Sequence, residues 1–386
     1  MLRAGSKTLR KMATLNISKI PCLRYPSPNH NTSDNEAGNQ RRRRSLIFFI
    51  PGNPGLVDYY IPYLSTLRNL LNETETRTGY TRLFDIYGQN LIGFADADHD
   101  HPFGSTGSTA GPAPTAPFSL EDQIRHFYDR VVHLNSSPIL ESNNESNTSP
   151  YDEVIIMGHS VGAYISLEVC HRHHLFLKDQ EKTNVSTSSA SQRRSLNLKA
   201  GILLFPAVSH LAKSSNGQKL NMIRQTPFLD RHAHHIAKRF VDLFPSFILE
   251  GIVRRVLGFS PHGAAVTTRF LTSRDGIWQA IHLGKDELGT ITEEKWAEEM
   301  WEAADEVNDD EVDKFYFYFG EKDHWVADES RDEFIAARQA KKKDSGGRKE
   351  SRTRIVVDEN KIPHAFCIRE FSPFHFRVDY LRPLST

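Results

Sequence analysis

A serine between two glycines is the feature of this chain that most directly suggests chemistry. Ser160 is the centre of the sequence GHSVG, residues 158–162, which follows the apolar run 154–157 and precedes a helix-like stretch, 163–175. A strand, a tight turn and a helix in that order make a serine hydroxyl project, and the glycines let the strand and the helix pass closely. We therefore predict that Ser160 is a nucleophile. A serine in an ordinary glycine-bounded loop is the alternative.

A serine nucleophile needs a histidine as its base and a carboxylate that orients the histidine, because its hydroxyl is only weakly reactive at neutral pH. Asp323 follows the strand-like run 314–319, and His364 follows the next such run along the chain. The order serine, acid, histidine is found in one large group of such sites. We predict that Asp323 is the acid and His364 the base, with Glu321 and Asp328 as the competing acids.

Acyl transfer also needs N–H donors for the oxyanion, commonly one after the nucleophile and one in the loop after an earlier strand. The loop PGNPG, residues 51–55, follows the apolar strand-like run 46–50. Proline has no N–H, which excludes Pro54 as a donor. The predicted donors are the backbone N–H groups of Asn53 and Val161. A tight turn without a role in catalysis is the alternative.

Several short motifs together resemble a known family. They are IPGNPG (50–55) with Tyr59-Tyr60, Ser119-Leu120 with Gln123-Ile124, GHSVG (158–162), Leu204-Phe205-Pro206 with Ser215-Asn216-Gly217, Asp323-x-Trp325-Val326 after Gly320, and PHAF (363–366). With them, residues 46–375 resemble the lipid droplet-associated hydrolase family. The resemblance implies an α/β-hydrolase fold, a triad of Ser160, Asp323 and His364, residence on lipid droplets and endoplasmic reticulum, and a role in neutral-lipid turnover.

Strand-like and helix-like segments alternate along the chain, which predicts a mostly parallel central sheet flanked by helices. The predicted order is strand 46–50, helix 58–71, strand 82–87, helix 120–134, strand 153–157, helix 163–175 and strand 200–205. Four polar segments are predicted to be disordered surface insertions, namely 97–118, 135–150, 177–198 and 339–352. The acidic segment 291–313 is predicted to be an amphipathic surface helix.

One long segment separates two of the predicted core strands. Residues 206–290 exceed the length of an ordinary loop and are predicted to form an inserted helical lid. The chain then divides into a basic tail with a possible first strand (1–44), the first part of the core (45–205), the lid, and the second part of the core (291–386).

The lid contains an apolar stretch at residues 240–259 that charges and Pro245 interrupt, which argues against a bilayer span. A broken helix of this composition could lie in a phospholipid monolayer. Phe244, Phe247 and Leu249 are therefore predicted membrane contacts. Packing of the helix against the core is the alternative, and both can hold.

Composition limits the classes of ligand. The 386 residues carry 48 basic and 48 acidic side chains, so no overall charge favours nucleic acid. Three cysteines without metal spacing, and the lack of a glycine-rich phosphate loop, predict neither metal nor cofactor. Residues 1–33 have no Asp or Glu. They predict a basic tail with a first strand near 12–17, or alternatively a mitochondrial targeting segment.

Two functions remain open from the sequence. The first is a serine hydrolase that cleaves carboxylic esters of neutral lipids, sterol ester or acylglycerol, at the cytosolic face of lipid droplets and endoplasmic reticulum. The second is an organiser of lipid storage at the same surfaces with little turnover. The presence of all parts of the predicted site favours the enzyme.

Overall fold

A seven-stranded sheet forms the centre of the computed structural model, which describes residues 15–31, 42–104, 116–136, 151–183, 196–296, 314–344 and 353–369. The strands are β1 (Cys22–Tyr25), β2 (Arg43–Ile50), β3 (Arg82–Gln89), β4 (Glu153–His159), β5 (Leu198–Leu204), β6 (Lys314–Phe319) and β7 (Thr353–Val357). Their order across the sheet is β1-β3-β2-β4-β5-β6-β7. β1 is antiparallel to β3, and every other pair is parallel.

Helices cover both faces of the sheet. The α-helices of the described residues are α1 (Ile61–Arg77), α2 (Leu120–Ser136), α3 (Val161–Thr183), α4 (Ser215–Gln225), α5 (Pro227–Val241), α6 (Ser246–Arg255), α7 (Pro261–Thr272), α8 (Gly276–Thr290) and α9 (Asp328–Asp344). Neighbouring side chains of β2 point to opposite faces, as strand geometry requires. Phe48 packs in a cluster with Phe127 of α2, whereas Phe49 packs in a second cluster with Leu64 of α1. The sheet is thus buried on both sides.

This arrangement is the α/β-hydrolase fold. The connections from β2 to β6 wind helices onto both faces of a parallel sheet, and central strand β4 leads through a one-residue turn into α3. Polar groups at the carboxyl ends of such strands meet at one edge of the sheet. The predicted fold class is confirmed.

The first strand lies later in the chain than predicted. Within the described part of 12–17, Leu15 forms a single bridge with His99, and the segment Ile17–Lys19 is a 3-10 turn. Leu15 and Ile20 are instead buried in a small side cluster with Ile92. These apolar residues therefore pack beside the sheet, and the first strand of the sheet is β1.

Polar contacts fasten the segment after β1 to the sheet. The buried carboxylate of Asp85 accepts hydrogen bonds from the Ser27 N–H at 2.8 Å and from His30 Nε2 at 2.7 Å. The buried carboxylate of Glu75 accepts hydrogen bonds from Ser27 Oγ at 2.7 Å and from Asn29 Nδ2 at 2.8 Å. Residues of the predicted basic tail are thus part of the core domain.

The predicted surface insertions are partly wrong. In 97–118, both described ends contain buried side chains, among them His99 and Phe118. α3 and α9 extend into the segments predicted at 177–198 and 339–352. Residues 137–150, which make up nearly all of the segment predicted at 135–150, lie outside the described residues. The acidic segment 291–313 was predicted to be a helix. The structure describes only its residues 291–296, which are not helical.

Five helices, α4 to α8, lie in the described part of the segment between β5 and β6, within residues 215–290. The predicted helical character of residues 206–290 is confirmed, whereas their role as a lid stays a prediction. No helix in the described ranges is long and apolar enough to cross a bilayer.

Candidate active site

Ser160 occupies the one-residue turn between β4 and α3. Its φ of 56° lies in the left-handed region, which is unfavourable for a residue with a side chain. The flanking glycines make the turn possible: a Cβ on Gly158 would lie 2.2 Å from the Gly162 carbonyl oxygen, and a Cβ on Gly162 would lie 2.3 Å from that of Ile50. The strained turn therefore projects the Ser160 side chain from the end of the central strand.

The structure brings the predicted nucleophile, base and acid together. His364 Nε2 lies 2.9 Å from Ser160 Oγ, and His364 Nδ1 lies 2.6 Å from Asp323 Oδ2. A carboxylate accepts hydrogen bonds, so Nδ1 is the donor to Asp323, and an Nε2 without a proton can accept from the serine hydroxyl. The Trp325 N–H donates to the other carboxylate oxygen of Asp323 at 2.8 Å and fixes its orientation.

The competing acids are not at His364. The Glu321 side chain is exposed, and the Asp328 carboxylate, also exposed, forms an ion pair with Arg331 at 3.1 Å. Of the three carboxylates considered, Asp323 alone contacts the imidazole.

His159 is a member of this site that the sequence analysis missed. Its Nε2 lies 2.9 Å from the backbone oxygen of His364, and its Nδ1 lies 2.7 Å from the hydroxyl of Tyr60. Burial holds the pKa of His159 well below its usual value, so the ring is neutral. Because a carbonyl only accepts, Nε2 donates to His364 and Nδ1 accepts from Tyr60. The Tyr60 oxygen in turn accepts from the Gly52 N–H at 3.1 Å.

This chain of hydrogen bonds links three separate parts of the site. It runs from the loop of Gly52 through Tyr60 and His159 to the backbone of His364. Phe205 and Phe366 pack edge-on against the His159 ring. Tyr60 and His159 both lie in the motifs that suggested the family, but their spacing in the sequence does not indicate that they touch.

The backbone N–H groups of Asn53 and Val161 are the predicted oxyanion donors. Val161 is the first residue of α3, so its N–H has no carbonyl four residues earlier in the helix. No described residue accepts a hydrogen bond from the backbone N–H of Asn53 or Val161. The loop of Asn53 also packs against the nucleophile, since a Cβ on Gly52 would lie 3.0 Å from Ser160 Cβ. Two N–H groups are thus left for a ligand beside Ser160.

The side chain of Asn53 is held by helix α8. Its Nδ2 donates to the backbone oxygen of Ala280 and to Oε1 of Glu287, both at 3.1 Å. Glu287 is buried, and burial raises the pKa of its carboxyl from 4.5 to about 8. A buried carboxyl that remains protonated at neutral pH is costly and was not predicted from the sequence.

Glu287→Gln is expected to make stability less dependent on pH. In the folded protein the Glu287 carboxyl has a pKa of about 8, whereas in the unfolded chain its pKa is about 4.5. The unfolded chain is therefore favoured as pH rises between these values, by up to about 1.4 kcal/mol per pH unit. Urea unfolding at pH 5 and pH 8 measures the effect. Glutamine removes the titration, so an identical loss of stability with pH in both proteins would contradict the pKa assignment.

Two open cavities lie beside the inserted helices. Their volumes are about 600 and 340 Å³, and both are lined by Asp58, Val266 and Arg269 rather than by Ser160. In the described parts of the chain, no group of three or more His, Cys, Asp or Glu side chains is placed to hold a metal ion.

The three predicted membrane contacts differ in exposure. Phe247 is 76% exposed, and Phe244 is half-buried. Leu249 is only 6% exposed and packs in a cluster with Val241 and Ile277, so its prediction as a membrane contact is wrong. The reason is helical phase, because Leu249 faces the interior while Phe247 faces outward on the same helix.

Comparison with known proteins identifies the family of the chain. The family model described as "Lipid-droplet associated hydrolase" matches residues 43–367. A lipid droplet-associated hydrolase of Rattus norvegicus is 26% identical over 291 residues, 73% of this chain and 71% of the relative. That of Mus musculus is 23% identical over 333 residues, 84% and 80% of the two chains. A solved hydrolase from Oleispira antarctica covers 91% of this chain and aligns over 90% of its own, at 10% identity and a TM-score of 0.46, and adds nothing to the assignment. The chain belongs to the lipid-droplet associated hydrolase family.

Proposed function

We propose that this protein is a serine hydrolase that cleaves carboxylic esters of neutral lipids, sterol esters or acylglycerols, at the surface of lipid droplets. The observation that carries the proposal is the position of His364 between Ser160 Oγ, at 2.9 Å, and Asp323 Oδ2, at 2.6 Å. This is the geometry of a nucleophile, a base and an orienting acid. Membership of a hydrolase family supports the same reaction class.

The reaction begins when Ser160 Oγ attacks the ester carbonyl carbon and His364 Nε2 takes the hydroxyl proton. The Asn53 and Val161 N–H groups hold the oxyanion, and Asp323 stabilises the imidazolium. The carbon–oxygen bond to the alcohol then breaks, and the alcohol leaves with the proton from His364. Water attacks the acyl-serine with His364 as its base, which releases the fatty acid and restores the Ser160 hydroxyl.

An exposed apolar surface on the inserted helices supports a lipid substrate. Of the fourteen large apolar side chains exposed in the described residues, eleven lie between Met222 and Leu257. Phe240, Leu243 and Phe247 are 62%, 73% and 76% exposed. Exposed Arg side chains accompany them, as in helices that lie at a phospholipid surface. We therefore place this surface against the droplet monolayer.

Replacing Phe240, Leu243 and Phe247 together with serine is expected to release the protein from lipid. Complete burial of one such side chain contributes about 1.5–3 kcal/mol, so three partly inserted side chains should change partition by about tenfold or more. Co-flotation of purified protein with phospholipid-coated triacylglycerol droplets measures this.

The matched control replaces three exposed apolar residues elsewhere, Ile17, Leu175 and Val356, with serine. It should float like the wild type. Equal flotation of both variants, each with an intact circular dichroism spectrum, would place lipid contact outside the inserted helices.

The reaction itself is tested with the purified protein on droplets that contain a sterol ester, a triacylglycerol, a phospholipid or an acyl thioester. The proposal expects a neutral ester to be cleaved fastest and a fluorophosphonate to label one serine. A protein that coats droplets but cleaves no ester and takes no label would favour the organiser of lipid storage. Imaging of a fluorescent fusion distinguishes droplets and endoplasmic reticulum, which we propose as its location, from mitochondria.

A further inference from the structure

The Asn53 side chain lies between the proposed oxyanion donor and the inserted helices. Its two amide hydrogens are donated to one face of α8, to the backbone oxygen of Ala280 and, two turns later, to Oε1 of Glu287. Its backbone N–H has no acceptor among the described residues. The side chain thus anchors Asn53, while its backbone N–H remains free to bind the oxyanion.

The rest of this loop has a different anchor. The Gly52 N–H donates to Tyr60, which belongs to the core and contacts His159. The loop is therefore held on one side by the core and on the other by α8. Of the two contacts to α8, the one with Ala280 uses a backbone atom, and only Glu287 contributes a side chain that mutation can change.

Burying the Glu287 carboxyl to hold the Asn53 side-chain amide costs free energy, which points to a role beyond packing. Desolvation opposes its ionisation, and the neighbouring Asp286 opposes it further. An apolar residue would fill the same space without burying a polar group. Buried groups of this kind are concentrated at functional sites.

We infer that Glu287 is a positioning residue, which fixes the backbone N–H of Asn53 for the oxyanion through the Asn53 side chain. This inference rests on the proposed function. Because the oxyanion charge exists only in the transition state, loosening of the donor should lower kcat and leave KM nearly unchanged.

The test compares Glu287→Leu with Glu287→Gln on a soluble ester, p-nitrophenyl butyrate, with active sites counted by fluorophosphonate titration. Removal of an oxyanion donor costs about 10²–10³ in kcat, so displacement of one should cost about tenfold or more in the leucine variant. Glutamine retains an acceptor oxygen and should stay within about twofold of the wild type. Lys285→Leu is the control on the same helix, since Lys285 pairs with Asp230 and does not contact Asn53.

Asn53→Leu gives a second route, since it removes the hydrogen bonds to both Ala280 and Glu287 and keeps the backbone N–H. The two leucine substitutions together should be no worse than Asn53→Leu alone. Additive losses, a wild-type kcat for Glu287→Leu, or a glutamine variant as slow as the leucine variant would overturn the inference. A wild-type protein without turnover or label would instead overturn the proposed function. If Glu287→Leu does not fold, Asn53→Leu decides: its kcat should fall by about tenfold or more with KM nearly unchanged, and a wild-type kcat would overturn the inference.

Discussion

Ser160→Ala is expected to abolish both ester hydrolysis and covalent labelling by a fluorophosphonate, while the protein stays folded. The hydroxyl is the only group removed, and the His364 imidazole next to it then has no proton to take. Loss of such a nucleophile lowers kcat by about 10⁶ in well-studied serine hydrolases. Labelling followed by peptide mass spectrometry measures the effect.

Ser215→Ala is a suitable control, because Ser215 is an exposed serine whose hydroxyl lies near His324, the residue after Asp323. It should be labelled like the wild type. A fluorophosphonate adduct on the Ser160→Ala protein would sink the assignment of Ser160 as nucleophile.

His364→Ala should lower kcat by about 10³-fold or more, and Asp323→Asn should have a comparable or somewhat smaller effect. An asparagine amide can donate to Nδ1 and so favour the ring tautomer whose Nε2 carries a proton and cannot act as a base. Steady-state hydrolysis of a soluble ester measures both losses. Because the groups act as one unit, the double variant should be little slower than His364→Ala.

Glu321→Gln is the matched control for the acid, since Glu321 lies two residues from Asp323 and is exposed. It should keep nearly wild-type activity. If Asp323→Asn also did so, the orienting acid would have to be another residue.

The predictable part of the molecule is the part that local sequence controls. A strand, a glycine-bounded turn and a helix are contiguous, so the turn at Ser160 can be read from residues 154–175 alone. Asp323 and His364 follow successive strands, β6 and β7, and parallel pairing brings strand ends to one edge. Their proximity was therefore predictable, whereas their catalytic roles remain proposals.

The missed features depend on contacts between distant parts of the chain. His159 meets Tyr60 across 99 residues, and Asn53 meets Glu287 across 234 residues. No periodicity in the sequence indicates contacts between residues so far apart. Leu249 was misassigned for a different reason, because apolar composition was counted without the helical phase that turns it inward.

The polar contacts after β1 restrict where a protease could process the amino terminus. Cleavage near residue 33, as a mitochondrial targeting segment would suggest, would remove β1 and the residues that bind Asp85 and Glu75. Both carboxylates would lose part of their hydrogen bonds, and β3 would lose the strand that pairs with it, which is a destabilising change. A mature, folded enzyme can therefore lose its first residues only up to the start of this strand.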